Sequence, residues 1–64
     1  MTLLLNDMTS RLAAAGIESP RLEARLLLGA ACGISADEAV LLRRELTAGE
    51  RERLDSMLRE RLAH

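Results

Sequence analysis

The 64 residues contain no Phe, Tyr or Trp, and no Lys, so all nine positive charges are Arg. Without aromatic rings there is no platform on which single-stranded bases could stack. The formal charge is −1, which argues against a direct nucleic-acid binder, a class that carries a basic excess. The single Cys excludes an internal disulfide framework and fits a reducing compartment, and one Cys with one terminal His cannot build a Cys/His zinc site. No apolar run approaches the ~20 residues that span a bilayer. The longest stretch free of charge, Leu26 to Ala36, is broken by Gly29, Gly33 and Ser35. Met1-Thr2-Leu3-Leu4-Leu5 has no basic flank and meets Asn6-Asp7 at once, which reads against a signal peptide. These absences point to a soluble cytoplasmic chain.

What is present favours helix. Leu occurs fourteen times and Ala ten, against two Ile and one Val. Ala, Leu, Arg and Glu lose little in a helix, whereas the β-branched and aromatic residues that suit strands are scarce. With 48% apolar and 30% charged residues the chain has a globular balance, and its length allows one small domain over residues 1–64. The expected fold is all-α, a bundle of four or five short helices with no sheet.

Punctuation and period place the helices. The first runs from Thr2 to Ala15, with Leu4, Met8 and Leu12 at i, i+4, i+8, Leu5 and Ala15 beside them, and Gly16 as its stop. The second opens with Ser19 as a hydroxyl cap and Pro20 at the first helical position. Its apolar set, Leu22, Ala24, Leu26, Leu27, Leu28, Ala30 and Ala31, covers more than half the circumference. This predicts the most buried helix, with Leu26 and Leu27 in the core; Gly33 ends it. Ser35-Ala36-Asp37-Glu38 is a capping box opening a third helix, Ala36 to Arg44, that buries Val40 and Leu41 or Leu42. Thr47-Ala48-Gly49-Glu50 is a second box, opening a fourth helix whose stripe is Leu54, Met57, Leu58 and Leu62. Its other faces read as solvated charge, with Asp55 and Arg59 paired at i,i+4. The chain stops at Leu62-Ala63-His64 with this helix still in phase and uncapped, as expected of a domain excised from a longer protein.

No catalytic constellation emerges. His64 has no fixed partner. Cys32 ends a helix, where the dipole disfavours a thiolate, so it reads as a small core hydrophobe. Gly29 inside the second helix reads as a close-packing position. Asp55-Ser56-Met57 is similar to the attachment triplet of acyl carrier proteins but lies in mid-helix, so Ser56 reads as a solvated position. Arg43-Arg44 and Glu50 to Arg53 read as a solvated charge run. Arg21 and Arg25, like charges one turn apart, are the candidate partner contacts.

One stretch goes beyond helix grammar. Ser19-Pro20-Arg21-Leu22-Glu23-Ala24-Arg25-Leu26-Leu27-Leu28 resembles the S-P-R-x-[DE]-A-x-x-L-L signature of the HemK (PrmC) family, the release-factor glutamine methyltransferases. In that family a Gly, a short helix and a Leu-Thr-x-x-[EQ] segment follow, as Gly33, Ile34 to Glu45, and Leu46-Thr47-Ala48-Gly49-Glu50 do here. The resemblance implies an N-terminal helical domain whose catalytic domain would follow residue 64. That domain would bind S-adenosylmethionine and hold the substrate glutamine with an Asn-Pro-Pro-Tyr motif. This chain has one Pro and no such motif, so no catalytic, cofactor or metal residue carries over. The implied partners are a class I peptide-chain release factor and the domain's own catalytic half. The expected contact is weak and charge-based, because the Leu stripes are expected to be buried, leaving mainly Arg, Asp and Glu outside. A free-standing helical interaction module, unrelated to methyl transfer, is the alternative.

Overall fold

The computed structural model describes residues 2–63, and His64 lies outside them. Four helices follow in order: α1 Thr2–Ala14, α2 Pro20–Cys32, α3 Ala36–Val40 and α4 Ala48–Leu62. No strand and no fifth helix occurs among the described residues. Helix α2 packs against the other three, while α1 and α4 meet only narrowly. The core is Met8 and Leu12 from α1, Ala24, Leu28 and Ala31 from α2, Ala39 from α3, and Leu54 and Leu58 from α4. Three of these eight are Ala, which lets the helix backbones come close in a chain without aromatic bulk.

The ends of α1 and α2 are built alike. Gly16 (φ 80°) and Gly33 (φ 71°) take the left-handed conformation that glycine adopts without steric cost. The next residue in each case, Ile17 or Ile34, donates its N–H back to Leu12 or Gly29, at 3.1 and 2.9 Å, and packs against the core. Gly29 is buried beneath the turn it receives: a Cβ there would stand 2.7 Å from the carbonyl oxygen of Ile34. The close packing expected at Gly29 is therefore against the entry to α3. Both capping boxes form, Ser35 with Glu38 and Thr47 with Glu50.

Several sequence expectations are corrected. Leu26 and Leu22 are each 51% exposed, and Ala30 is exposed beside them. The molecule measures 29 × 20 × 18 Å, and a helix with its side chains is ~10 Å thick. Across its short axes the body is two helices deep, so even the central helix keeps one side in water. Leu28 is fully buried in Leu26's stead and Leu27 is half-buried. Ser19 does not cap through its hydroxyl. It lies at φ 54°, ψ 54° with no side-chain cap bond, and only its carbonyl enters the helix, accepting from the Glu23 N–H at 3.1 Å. Ala15 lies past the end of α1 and is exposed. Helix α3 stops at Val40, four residues short of expectation, because the chain must cross to α4 and Arg44 is drawn to Glu50. Val40 and Leu41 are exposed (44% and 70%), Leu42 is half-buried, and Ala39 is the core residue of α3.

Candidate functional site

Arg21 and Arg25 stand in the first two turns of α2, where Pro20 at the first helical position sets the start. One turn of helix brings them to the same side. Together with Leu5, Asn6 and Thr9 of α1 and Val40 of α3 they line a groove of about 100 Å³. Thr9 turns inward on its own helix and donates to the carbonyl of Leu5 at 2.7 Å. Arg21 is exposed and Arg25 half-buried, and neither has an ion-pair partner among the described residues.

Glu23, two residues from each of these arginines, turns to the opposite side of α2. Arg61 of α4 donates from Nε to its Oε1 at 3.1 Å, and Nη2 of the same guanidinium stands 3.1 Å from that oxygen as an ion pair. Sequence reasoning does not foresee the pair, 38 residues apart in sequence, which ties α2 to α4. A second tie also escaped it. Arg53 of α4 donates from Nε to the carbonyl of Ala31 at 3.1 Å. This supplies positive charge to the last turn of α2, which has no basic residue of its own.

The charge run of α4 is not uniformly solvated. Glu50 is buried, 8% exposed, the only charged residue in the interior among those described. Arg44 grips it with two bonds, Nη1 to Oε1 at 2.7 Å and Nη2 to Oε2 at 2.8 Å. The Thr47 N–H donates to Oε1 at 2.9 Å, closing the capping box. The Arg44 guanidinium and the Thr47 N–H hold the Glu50 carboxyl down to about 2. At the other box, the backbone and hydroxyl of Ser35 lower the Glu38 carboxyl. Cys32 packs against the core, and burial, followed by the charge of Glu50, pushes its thiol up, away from nucleophilic character. Asp55 pairs with Arg51 at 3.3 Å rather than with Arg59; both arginines stand one turn away, and such an exposed pair is worth only ~0.2–0.5 kcal/mol in either direction. Ser56 sits mid-helix and exposed.

Among the described residues no group of three or more His, Cys, Asp or Glu is placed to hold a metal ion, and no helix is long and apolar enough to cross a membrane. The expectation that the leucines would be buried, leaving mainly Arg, Asp and Glu outside, is corrected by Leu3, Leu22, Leu26, Val40 and Leu41, all substantially exposed.

The signature residues divide between the start of α2, the core and the surface. Ser19 and Pro20 start α2, Glu23 reaches Arg61, Ala24 and Leu28 are core, and Leu27 is half-buried against them. The two exposed leucines, Leu22 and Leu26, fall on the variable positions of the pattern. In the second motif Leu46 packs on the core, and Thr47 with Glu50 forms the cap. Of the two charged residues fixed in the signature, Arg21 and Glu23, Arg21 has no ion-pair partner among the described residues. No curated protein and no solved structure matches the chain. A family model described as the PrmC N-terminal domain matches residues 4–64. With nearly the whole chain matched and both motifs built into its helix starts, this protein belongs to the PrmC N-terminal domain family.

Proposed function

We propose that this domain is the substrate-recognition part of an S-adenosylmethionine-dependent methyltransferase that methylates the Gly-Gly-Gln glutamine of class I peptide-chain release factors in the cytoplasm. The observation that carries the reading is the family match over residues 4–64, within which Arg21 is a charged signature residue with no ion-pair partner among the described residues. The domain itself is not catalytic and takes no cofactor; the chemistry belongs to the methyltransferase domain that accompanies it. Its part is to add a second, weak hold on the release factor. A weak contact gains much once it is tethered to another, because its formation becomes intramolecular.

Arg21 and Arg25 supply the charge for that hold. Titration calorimetry with a purified class I release factor tests the reading. The expected dissociation constant is no tighter than about 10 μM, weakening as salt rises, since exposed charges are screened within a Debye length of ~10 Å. Arg21→Ala reduces the binding while leaving the thermal melt unchanged. No binding at any salt would sink the reading and leave the domain a role toward its own catalytic half. Saturable binding of S-adenosylmethionine at micromolar concentration would contradict the division of labour.

A further inference from the structure

The side of α2 turned away from the core carries Leu22, Leu26 and Ala30 at i, i+4 and i+8, all exposed. A single exposed leucine is ordinary. Here three apolar residues form a row along ~12 Å of helix, at 1.5 Å per residue. Arg21 and Arg25 follow one edge of the row, Arg25 three residues from Leu22 and so its neighbour on the helix surface. Beyond them Val40, 44% exposed, extends the apolar surface across the groove. The opposite edge is closed by the Glu23–Arg61 pair and half-buried Leu27.

The charges on this face are one-sided. Two guanidiniums one turn apart repel each other, and no carboxylate pairs with either among the described residues. An occupant that brings carboxylates relieves that repulsion; a second copy of the chain, placing the same face opposite, brings only two more guanidiniums. We propose that Leu22, Leu26 and Ala30, with Arg21 and Arg25, form a docking face for an acidic amphipathic helix of a partner protein. Its apolar ridge lies along the leucine row and its carboxylates meet the two arginines. The apolar row supplies affinity and the arginines supply orientation and encounter rate. The inference rests on the proposed function only in taking that partner to be the release factor.

The test is an amide-shift titration of the isotope-labelled chain with four probes. These are a purified class I release factor, a synthetic helix of ~15 residues with leucines at i, i+4 spacing flanked by glutamates, the same peptide with lysines for glutamates, and anionic phospholipid vesicles. The release factor and the acidic peptide are expected to shift the amides of Leu22, Leu26 and Ala30, and the lysine peptide is not. The double variant Leu22→Ser, Leu26→Ser weakens both by about tenfold or more, as loss of a central apolar contact does. The double variant Arg21→Glu, Arg25→Glu abolishes binding of the acidic peptide and admits the lysine peptide. That swap keeps the test decisive if the serine variant fails to fold. A release factor that shifts amides elsewhere overturns this face and leaves the proposed function standing. An acidic peptide that binds the row when the release factor does not supports the face and overturns that function. Binding of neither overturns the face, as does self-association through α2, or a response of the row to anionic phospholipid vesicles with none to the acidic peptide.

Discussion

At Gly29 two demands on one residue conflict. Ala in a helix interior is favoured over Gly by ~1 kcal/mol, so propensity alone argues for replacing it. The added Cβ would stand 2.7 Å from the Ile34 carbonyl oxygen and 3.2 Å from the Ser35 carbonyl carbon and oxygen. These are backbone atoms, held by the Ile34 N–H bond to Gly29 and by the Ser35 capping box, and cannot swing aside as a side chain can. Gly29→Ala is therefore expected to lower stability by about 1–3 kcal/mol in urea unfolding, the range for overpacking. The control is Gly49→Ala, where the new Cβ meets only Arg53 Nη1 at 3.7 Å and stability is expected to rise by ~0.5–1 kcal/mol. Equal effects at the two glycines would contradict the account. Ser19 poses the complementary case. Its φ of 54° is left-handed, which costs a non-glycine residue ~1 kcal/mol, and no cap bond offsets it. Ser19→Gly is expected to raise the melting temperature and Ser19→Ala to leave it nearly unchanged. A marked loss in Ser19→Ala would show that the hydroxyl caps after all.

At the scale of the element, α2 separates what pattern reveals from what packing decides. Its start at Pro20, its end before Gly33 and its central place were legible, because each follows from local chemistry or from the weight of apolar residues. Which of four leucines lies inside was not. Leu22, Leu26, Leu27 and Leu28 are the same residue type, and a set covering more than half the circumference leaves the buried side unspecified. Ala24, Leu28 and Ala31 at i, i+4, i+7 are the inner stripe, chosen by where α1, α3 and α4 lie. Leu28→Ala is expected to cost about 2–5 kcal/mol, the range for emptying a buried leucine site. Leu26→Ala, at a half-exposed site, is expected to change stability by less than about 1 kcal/mol. Thermal unfolding followed by circular dichroism compares them, and a larger loss at Leu26 than at Leu28 would invert the assignment. The capping boxes were legible for the same reason as the helix stops: each is closed within four residues. The ties from Arg61 to Glu23 and from Arg53 to Ala31 were not, since they join residues far apart in sequence. Arg21 and Arg25 were legible as candidates because nothing local uses them, whereas the apolar row beside them is, by pattern alone, indistinguishable from core.

For the whole molecule, a 64-residue domain buries only ~60% of the surface of its unfolded chain, so few interactions stand between the folded and unfolded states. The exposed pairs Asp7–Arg11 and Arg51–Asp55 add little to them. Glu50 differs, because its carboxylate is held at once by Arg44, by the Thr47 N–H and by its place at the start of α4, and it joins the α3–α4 connection to the bundle. Its pKa falls from an ordinary 4.5 to about 2 on folding. Between those values the unfolded chain takes up a proton at Glu50 that the folded chain refuses, so acid favours unfolding. The stabilisation from this group is fully present above pH 4.5 and is lost as the pH falls toward 2. Glu38, lowered by Ser35, acts in the same direction. Glu50→Gln keeps the shape of the side chain but removes the titrating group and one side of the bidentate pair. The variant is expected to melt below the wild type at neutral pH and to lose less stability in acid, so that the two melting curves converge as pH approaches 2. Carbon-detected titration of the Glu50 carboxyl gives the direct check. A midpoint near 4.5 with parallel melting curves would show that Arg44 and Thr47 do not hold the carboxylate in solution, and that the link between α3 and α4 depends on Leu46 packing alone.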